Sequence, residues 1–209
     1  QGAFKMRIAV YNQKGGVGKT SLGCALAKTF AQGIVTNEDN TKFSPAFGDN
    51  VIVGIPDNEP FPVYEDSVDI LYECGGFFDA RLADLFYHVD LIVVPFMDYN
   101  KPPHDTNDWH ITYNETIKPI VEKLDKPVAF VHNLAAARNK KAQQALYRPV
   151  IEAIPNCSYH SIGHSQVLNN IIDNGIGPND AYEQAGPAQK AQIKKTIIKL
   201  CNELIKRAK

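Results

Sequence analysis

A chain of 209 residues with 44% apolar side chains is long enough to bury a core, and a formal net charge of −1 does not by itself select a polyanion or an anionic surface. No run of about eighteen apolar residues exists, which excludes an evident membrane-spanning helix, and the four scattered cysteines (Cys24, Cys74, Cys157, Cys201) form no C-x-x-C pair. That cysteine usage and the lack of a signal peptide fit a reducing cytoplasm. Gln1-Gly2 has the form of a tag remnant with Met6 as the natural start, so one domain over residues 6–209 is expected.

The first apolar run, Arg7–Tyr11, reads as a strand and leads into Lys14-Gly15-Gly16-Val17-Gly18-Lys19-Thr20. In a phosphate-binding loop, glycines let successive backbone N–H groups turn inward, a lysine reaches the β and γ oxygens, and a hydroxyl holds Mg²⁺. Gly18, Lys19 and Thr20 fit that pattern, although Gln13 occupies its first glycine position. Lys14 is a second cation beside the same phosphates. The helix expected over Thr20–Gln32, with Ser21 in its first turn, would direct its N-terminus at them.

Further strands are expected at Ile34–Asn37, Val51–Ile55, Ile70–Glu73, Leu91–Pro95 and Val128–His132. Helices are expected at Ala80–Tyr87, Asp108–Leu124, Lys140–Ala153 and Ala188–Arg207. Strands apolar on both faces, alternating with helices, predict an α/β fold: a doubly wound, mainly parallel sheet of the P-loop NTPase type with helices on both faces. Ligands would then sit outside the carboxyl ends of the strands. Two strands end in acids: Asn37-Glu38-Asp39 follows the second, and Glu73-Cys74-Gly75-Gly76 closes the fourth. A nucleotide hydrolase needs one carboxylate near the Mg²⁺ shell and another group to position water. The two strand ends offer such acids, and one that ends an apolar strand before small residues has the form of a Walker B position; as plain turn or cap residues, Asp39 and Glu73 would be ordinary.

These motifs, in this order and together with Val89-Asp90-Leu91-Ile92-Val93-Val94-Pro95, resemble the ParA/MinD ATPases with a deviant Walker A motif; the build is similar to small plasmid-type ParA proteins. The resemblance implies a partition ATPase that binds ATP and Mg²⁺, forms a nucleotide-sandwich homodimer, binds DNA non-specifically and answers to a ParB-like adaptor. It would have Lys14 touch the partner's phosphates, Lys19 bind in cis with Gly15, Gly16, Val17, Gly18, Thr20 and Ser21, and Asn133 contact adenine. Thr20 and Glu73 would hold Mg²⁺, and Asp39 would position water. The sequence departs from the family at Asn37 for aspartate, Asn40-Thr41 for Pro-Gln, Glu73 for aspartate and Ser165 near a frequent arginine. These changes bear on hydrolysis rate more than on nucleotide binding.

Charge is uneven: acids dominate Glu38 to Asp108, and after Ala188 seven cations face Glu203 alone. Lys190, Lys194, Lys195 and Lys199 flank the apolar set Ile193, Ile197, Leu200, Cys201 and Leu204 on the last helix, so they could neutralise DNA phosphates. Arg138, Lys140 and Lys141 could extend that surface. A solvated amphipathic face is the plain reading of the same pattern, and a MinD-like membrane helix is disfavoured by the lack of bulky aromatics. Cys157, His160 and His164 have metal-like spacing without a clear fourth ligand. Trp109 with Tyr113 forms either a partner face or core packing. Other classes considered are a MinD-like positioning ATPase, a ligase of the dethiobiotin-synthetase type and a nucleotide-binding scaffold that never hydrolyses.

Overall fold

The computed structural model describes residues 5–38, 43, 47–48, 52–64, 68–76, 79–97, 108–134, 139–163 and 174–209. Asp39, Arg138, His164 and Ser165 lie outside the described residues, as does the side chain of Trp109. Seven strands form one parallel sheet: β1 (Arg7–Val10), β2 (Gly33–Thr36), β3 (Ile52–Gly54), β4 (Ile70–Glu73), β5 (Leu91–Phe96), β6 (Val128–Leu134) and β7 (Cys157–Gly163). Their order is β3-β2-β4-β1-β5-β6-β7. The chain winds from β1 to one side through β2 and β3, returns to β4, and crosses β1 to continue through β5, β6 and β7. A crevice at the end of a central strand follows from that reversal, and β1 lies there, paired with β4 through Val10 and Glu73 and with β5 through Val10 and Val93.

Strand residues alternate between two cores, which is why the sequence runs are continuously apolar. Ile8 and Val10 of β1, Leu91 and Val93 of β5, and Ala129 and Val131 of β6 join one cluster. Ala9, Tyr11, Ile92, Val94, Phe96, Val128 and Phe130 join the other. The first cluster is closed by α1 (Lys19–Phe30) and by the C-terminal helical run, which comprises α5 (Pro178–Gln184) and α6 (Pro187–Ile193, a π-helical stretch Lys194–Ile198, then Lys199–Ala208). The second is closed by α2 (Leu82–His88), α3 (Asp108–Thr112, a π-helical stretch Tyr113–Ile117, then Lys118–Leu124) and α4 (Lys140–Glu152). On α6 the apolar set Ile193, Ile197, Leu200, Cys201 and Leu204 is buried as its spacing predicts. Each fully buried leucine or isoleucine contributes roughly 1.5–3 kcal/mol.

Two elements were not expected from the sequence. The segment Cys157–Gly163 is the edge strand β7, in register with β6 from Val128↔Cys157 to Leu134↔Gly163; its polar residues conceal the pattern. Helix α5 is too short to show periodicity, and it begins at Gly177-Pro178, with the Gly177 N–H donating to Asp180 Oδ2 at 3.2 Å. Proline at the first helical position loses no hydrogen bond. Among the described residues no helix is long and apolar enough to cross a membrane.

Candidate functional site

The loop after β1 turns through two left-handed glycines, Gly16 at φ 75° and Gly18 at φ 98°, before α1 begins at Lys19. A side chain at Gly18 would suffer both that backbone and a contact of 3.0 Å to Asn133 Nδ2. At Gly15, by contrast, a Cβ would meet no atom within 4 Å, so the loop borders open space where a phosphate would fit. Lys19 is only 6% exposed, and its Nζ donates to the Lys14 carbonyl at 3.0 Å, across the mouth of the loop. Lys14, Gly15 and Gly16 are exposed at the rim, and Val17 is buried beneath them. The two lysines therefore occupy different environments, one folded into the loop and one on the outer surface.

The fourth strand delivers an acid to the same place. Glu73 is wholly buried and accepts hydrogen bonds from the Thr20 hydroxyl at 3.1 Å and the Thr36 hydroxyl at 3.0 Å. Burial pushes its carboxyl above the usual carboxylate range, and the neighbouring Glu38 adds to that; the two hydroxyls and Lys19 oppose it. A buried carboxylate beside a second acid and the first hydroxyl of the helix is a donor set suited to a hard divalent cation. No group of three His, Cys, Asp or Glu able to hold a metal occurs among the described residues. Held there, Mg²⁺ would complete its shell from phosphate oxygens and water.

The turns after β2 and β4 are cross-linked. Asn37 accepts from the Gly75 N–H at 2.7 Å and donates to Asp79 at 2.8 Å, while Glu38 accepts from the Gly76 N–H at 3.2 Å. Asp79 is held below the usual carboxylate range mainly by hydrogen bonding from Arg81, whose guanidinium also reaches the Pro56 and Glu59 carbonyls. Gly76 lies so near the loop that a Cβ would be 3.0 Å from Lys19 Nζ and 3.3 Å from the Gly15 nitrogen. The small residues after Glu73 thus permit close approach to the phosphate loop. The asparagine standing in place of an aspartate joins two strand ends.

Residues that sequence reasoning missed brace the loop from the other side. Asn12 is buried; it donates to the Pro95 carbonyl at 2.9 Å and accepts from the Lys14 N–H at 2.7 Å and the Thr112 hydroxyl at 3.0 Å. Gln13 reaches Thr112 with its N–H and Thr116 with its side chain, at 3.2 and 2.8 Å. Thr116 lies in the π-helical stretch of α3, a geometry common where a helix serves a site. Only the polar threonines on an otherwise amphipathic helix could have signalled this. Asn133 donates to the Val17 carbonyl at 3.3 Å, so the loop and the end of β6 are joined. Next to it, His132 is buried, stacked on Phe96 at 4.5 Å and paired with the Tyr159 hydroxyl at 2.9 Å. Burial pulls its pKa down to about 4.

The basic flank of α6 divides. Lys190 pairs with Glu183 at 3.6 Å and lies over the Tyr182 ring, and Lys199 pairs with Glu203 at 3.7 Å; Lys194 and Lys195 are exposed in the π-helical stretch. Lys195 and Lys199 line an open groove of about 570 Å³ with Arg148 and His160. The metal-like spacing fails on geometry: Cys157 and His160 sit three apart on β7, hence on opposite faces of the sheet. His160 instead meets Glu203 at 3.4 Å. Tyr113 is buried edge-on to Phe130 at 5.9 Å, as core packing predicts.

No family model and no curated protein matches the sequence, but solved structures match the fold over nearly the whole chain. An ATP complex of Cyanothece McdA gives a TM-score of 0.60 at 12% identity, covering 96% of this chain and 97% of that one. MinD from Aquifex aeolicus gives 0.56 at 16% identity, with 96% of each covered. A Borrelia burgdorferi protein described as a plasmid partition protein, bound to AMPPNP, gives 0.54 at 13% identity, covering 94% of this chain and 99% of that one. The structural neighbours are ParA/MinD-type proteins, and the chain has the ParA/MinD fold that its ordered motifs resemble.

Proposed function

We propose that the chain is a ParA-like partition or positioning ATPase that binds ATP with Mg²⁺ in the loop after β1. One observation carries the reading: the Thr20 hydroxyl and the buried Glu73 carboxylate meet at 3.1 Å beside a glycine loop closed by Lys19. When bound, Mg²⁺ would neutralise charge on the phosphates and complete its shell from Thr20, Glu73 and water. Val17, Gly18 and Ser21 supply the loop and first-turn N–H groups for the phosphates, Lys19 their counter-charge, and Asn133 the wall beside the base. Asp39, two residues beyond Asn37, is assigned to orient the attacking water. Lys14, exposed at the rim, is assigned to the nucleotide of a second copy, so that two chains close over two ATP molecules. The solved neighbours bound to ATP or AMPPNP support the nucleotide assignment through the shared fold.

The paired chains would present two sets of Lys190, Lys194, Lys195 and Lys199 to DNA, with a ParB-like adaptor stimulating hydrolysis and release. Contacts to phosphate alone make that binding non-specific and steeply salt-dependent. Phosphate release should require Mg²⁺, vanish in Lys19→Ala and fall at least about tenfold in Glu73→Gln. Equal release from all three proteins, or release indifferent to chelator, would contradict the assignment.

A further inference from the structure

The two edges of the sheet are unlike. At one, β3 is three residues long, and shortness alone limits what can pair with it. At the other, β7 runs for seven residues in unbroken parallel register with β6, from Cys157 to Gly163, with no lysine, proline or bulge to blunt it. The Val128 N–H donates to the Asn156 carbonyl at 3.0 Å, which fixes the alternation of the ladder. Ser158, His160 and Ile162 therefore turn their backbone groups to β6, and Tyr159 and Ser161 turn theirs away from the sheet. Among the described residues no backbone partner takes up those outward groups.

This edge is the floor of a groove. Arg148 and Glu152 of α4 line one wall, and Lys195, Lys199 and Glu203 of α6 line the other, around an open volume of about 570 Å³. Because α4 and α6 cover opposite faces of the sheet, a groove walled by both runs along the edge itself. Its charge is positive. Both acids are already held, Glu152 by Arg148 at 3.7 Å and Glu203 by Lys199 at 3.7 Å and His160 at 3.4 Å. Lys195 is exposed and enters no ion pair among the described residues. Lys140 adds a further cation at the far end, its Nζ 3.4 Å from where a side chain at Gly163 would begin.

We infer that this edge receives an acidic, extended segment of another protein, added beside β7 as a further strand of the sheet. Pairing with the Tyr159 and Ser161 backbone would give affinity without regard to sequence, and the walls would give selection. Side chains of an added strand alternate between the two walls. Lys195 and Lys199 lie about 6 Å apart along α6, close to the roughly 6.6 Å between alternate residues of a strand. Acids at alternate positions then meet one lysine each. Charge disfavours a second copy paired edge to edge, since net-positive walls would meet. The DNA backbone offers acceptors only and would leave the outward carbonyls unpaired. Lys195 and Lys199 are shared with the proposed DNA surface, so the two ligands would exclude one another, but the strand contact itself needs neither DNA nor nucleotide.

The probe is a fluorescent seven-residue peptide, the length of β7, with aspartate alternating with valine, added to the full chain at low salt without nucleotide or DNA. Anisotropy should show saturable binding, and the Tyr159 and Ser161 amides should gain protection from hydrogen exchange. Lys195→Glu with Lys199→Glu should weaken binding by about tenfold or more. Ser161→Pro should do the same with no change of charge, because it removes an outward N–H at an edge position that tolerates proline. Far-ultraviolet dichroism should match wild type in both variants. The same peptide N-methylated throughout, or with lysine for aspartate, should not bind. The proposal is overturned if the aspartate peptide fails to bind, if its N-methylated form binds as well, or if the lysine exchanges leave affinity unchanged. Binding without protection at Tyr159 and Ser161, which surface charge alone would give, overturns it too.

Discussion

At the scale of single residues, two buried titratable groups near the strand ends make stability depend on pH in opposite directions. His132 has its pKa lowered to about 4, so it is neutral in the folded chain. The stability this contributes is complete above the unfolded value of 6.5 and is lost as pH falls through about 4. Across that window unfolding free energy should drop by an extra ~1.4 kcal/mol per pH unit. His132→Phe, which preserves the stack on Phe96, should lack that slope in denaturant titrations. Glu73 has its pKa raised, so the folded chain holds its proton more tightly than the unfolded one, and stability declines as pH rises through the folded value. Glu73→Gln should therefore melt higher than wild type at mildly alkaline pH and show less advantage in acid, while gaining less from Mg²⁺ with nucleotide. An advantage that grew in acid would contradict the burial argument. The phosphate loop, Glu73 and their adjacency were legible because each has a fixed spacing and chemistry. Asn12, Thr112 and Thr116 were not, because they act across 100 or so residues of separation and carry no local pattern.

At the scale of elements, the C-terminal helix buries one face in the core and carries the proposed DNA contact on the other. Its inner face, with Leu204 wholly buried in the core, should make Leu204→Ala cost about 2–5 kcal/mol in chemical denaturation. Its outer lysines are unequal: Lys190 and Lys199 have acidic partners, and Lys194 and Lys195 are exposed. Lys194→Glu with Lys195→Glu should therefore reduce DNA retention more than Lys190→Glu with Lys199→Glu, measured at fixed low salt. An equal loss from both would show that the ion pairs do not compete with phosphate. Long apolar strands such as β5 and β6 were legible from composition alone, since both faces are buried. The edge strand β7 was not, because one side of its ladder meets solvent and serines and histidine replace the apolar run. The π-helical stretches in α3 and α6 were hidden for a different reason: apolar spacing fixes which face is buried but not the local hydrogen-bond step.

At the scale of the whole molecule, the strand order places the proposed nucleotide contacts among the described residues at the carboxyl ends of the strands, around central β1. The C-terminal basic flank and α4 lie on helices that cover opposite faces. Nucleotide binding through Lys19 is then separable from what a second copy adds through Lys14, because one lysine is buried in its own loop and the other is exposed at the rim. Avidity would follow from pairing, since doubling a basic patch multiplies weak phosphate contacts. The most direct test is sedimentation velocity with Mg²⁺ and a non-hydrolysable ATP analogue. The account predicts a dimer with the analogue, a monomer with ADP, and a monomer in either state for Lys14→Ala, which should still bind nucleotide. A Lys14→Ala chain that dimerises as its parent does, or a parent whose mass ignores nucleotide, would contradict it.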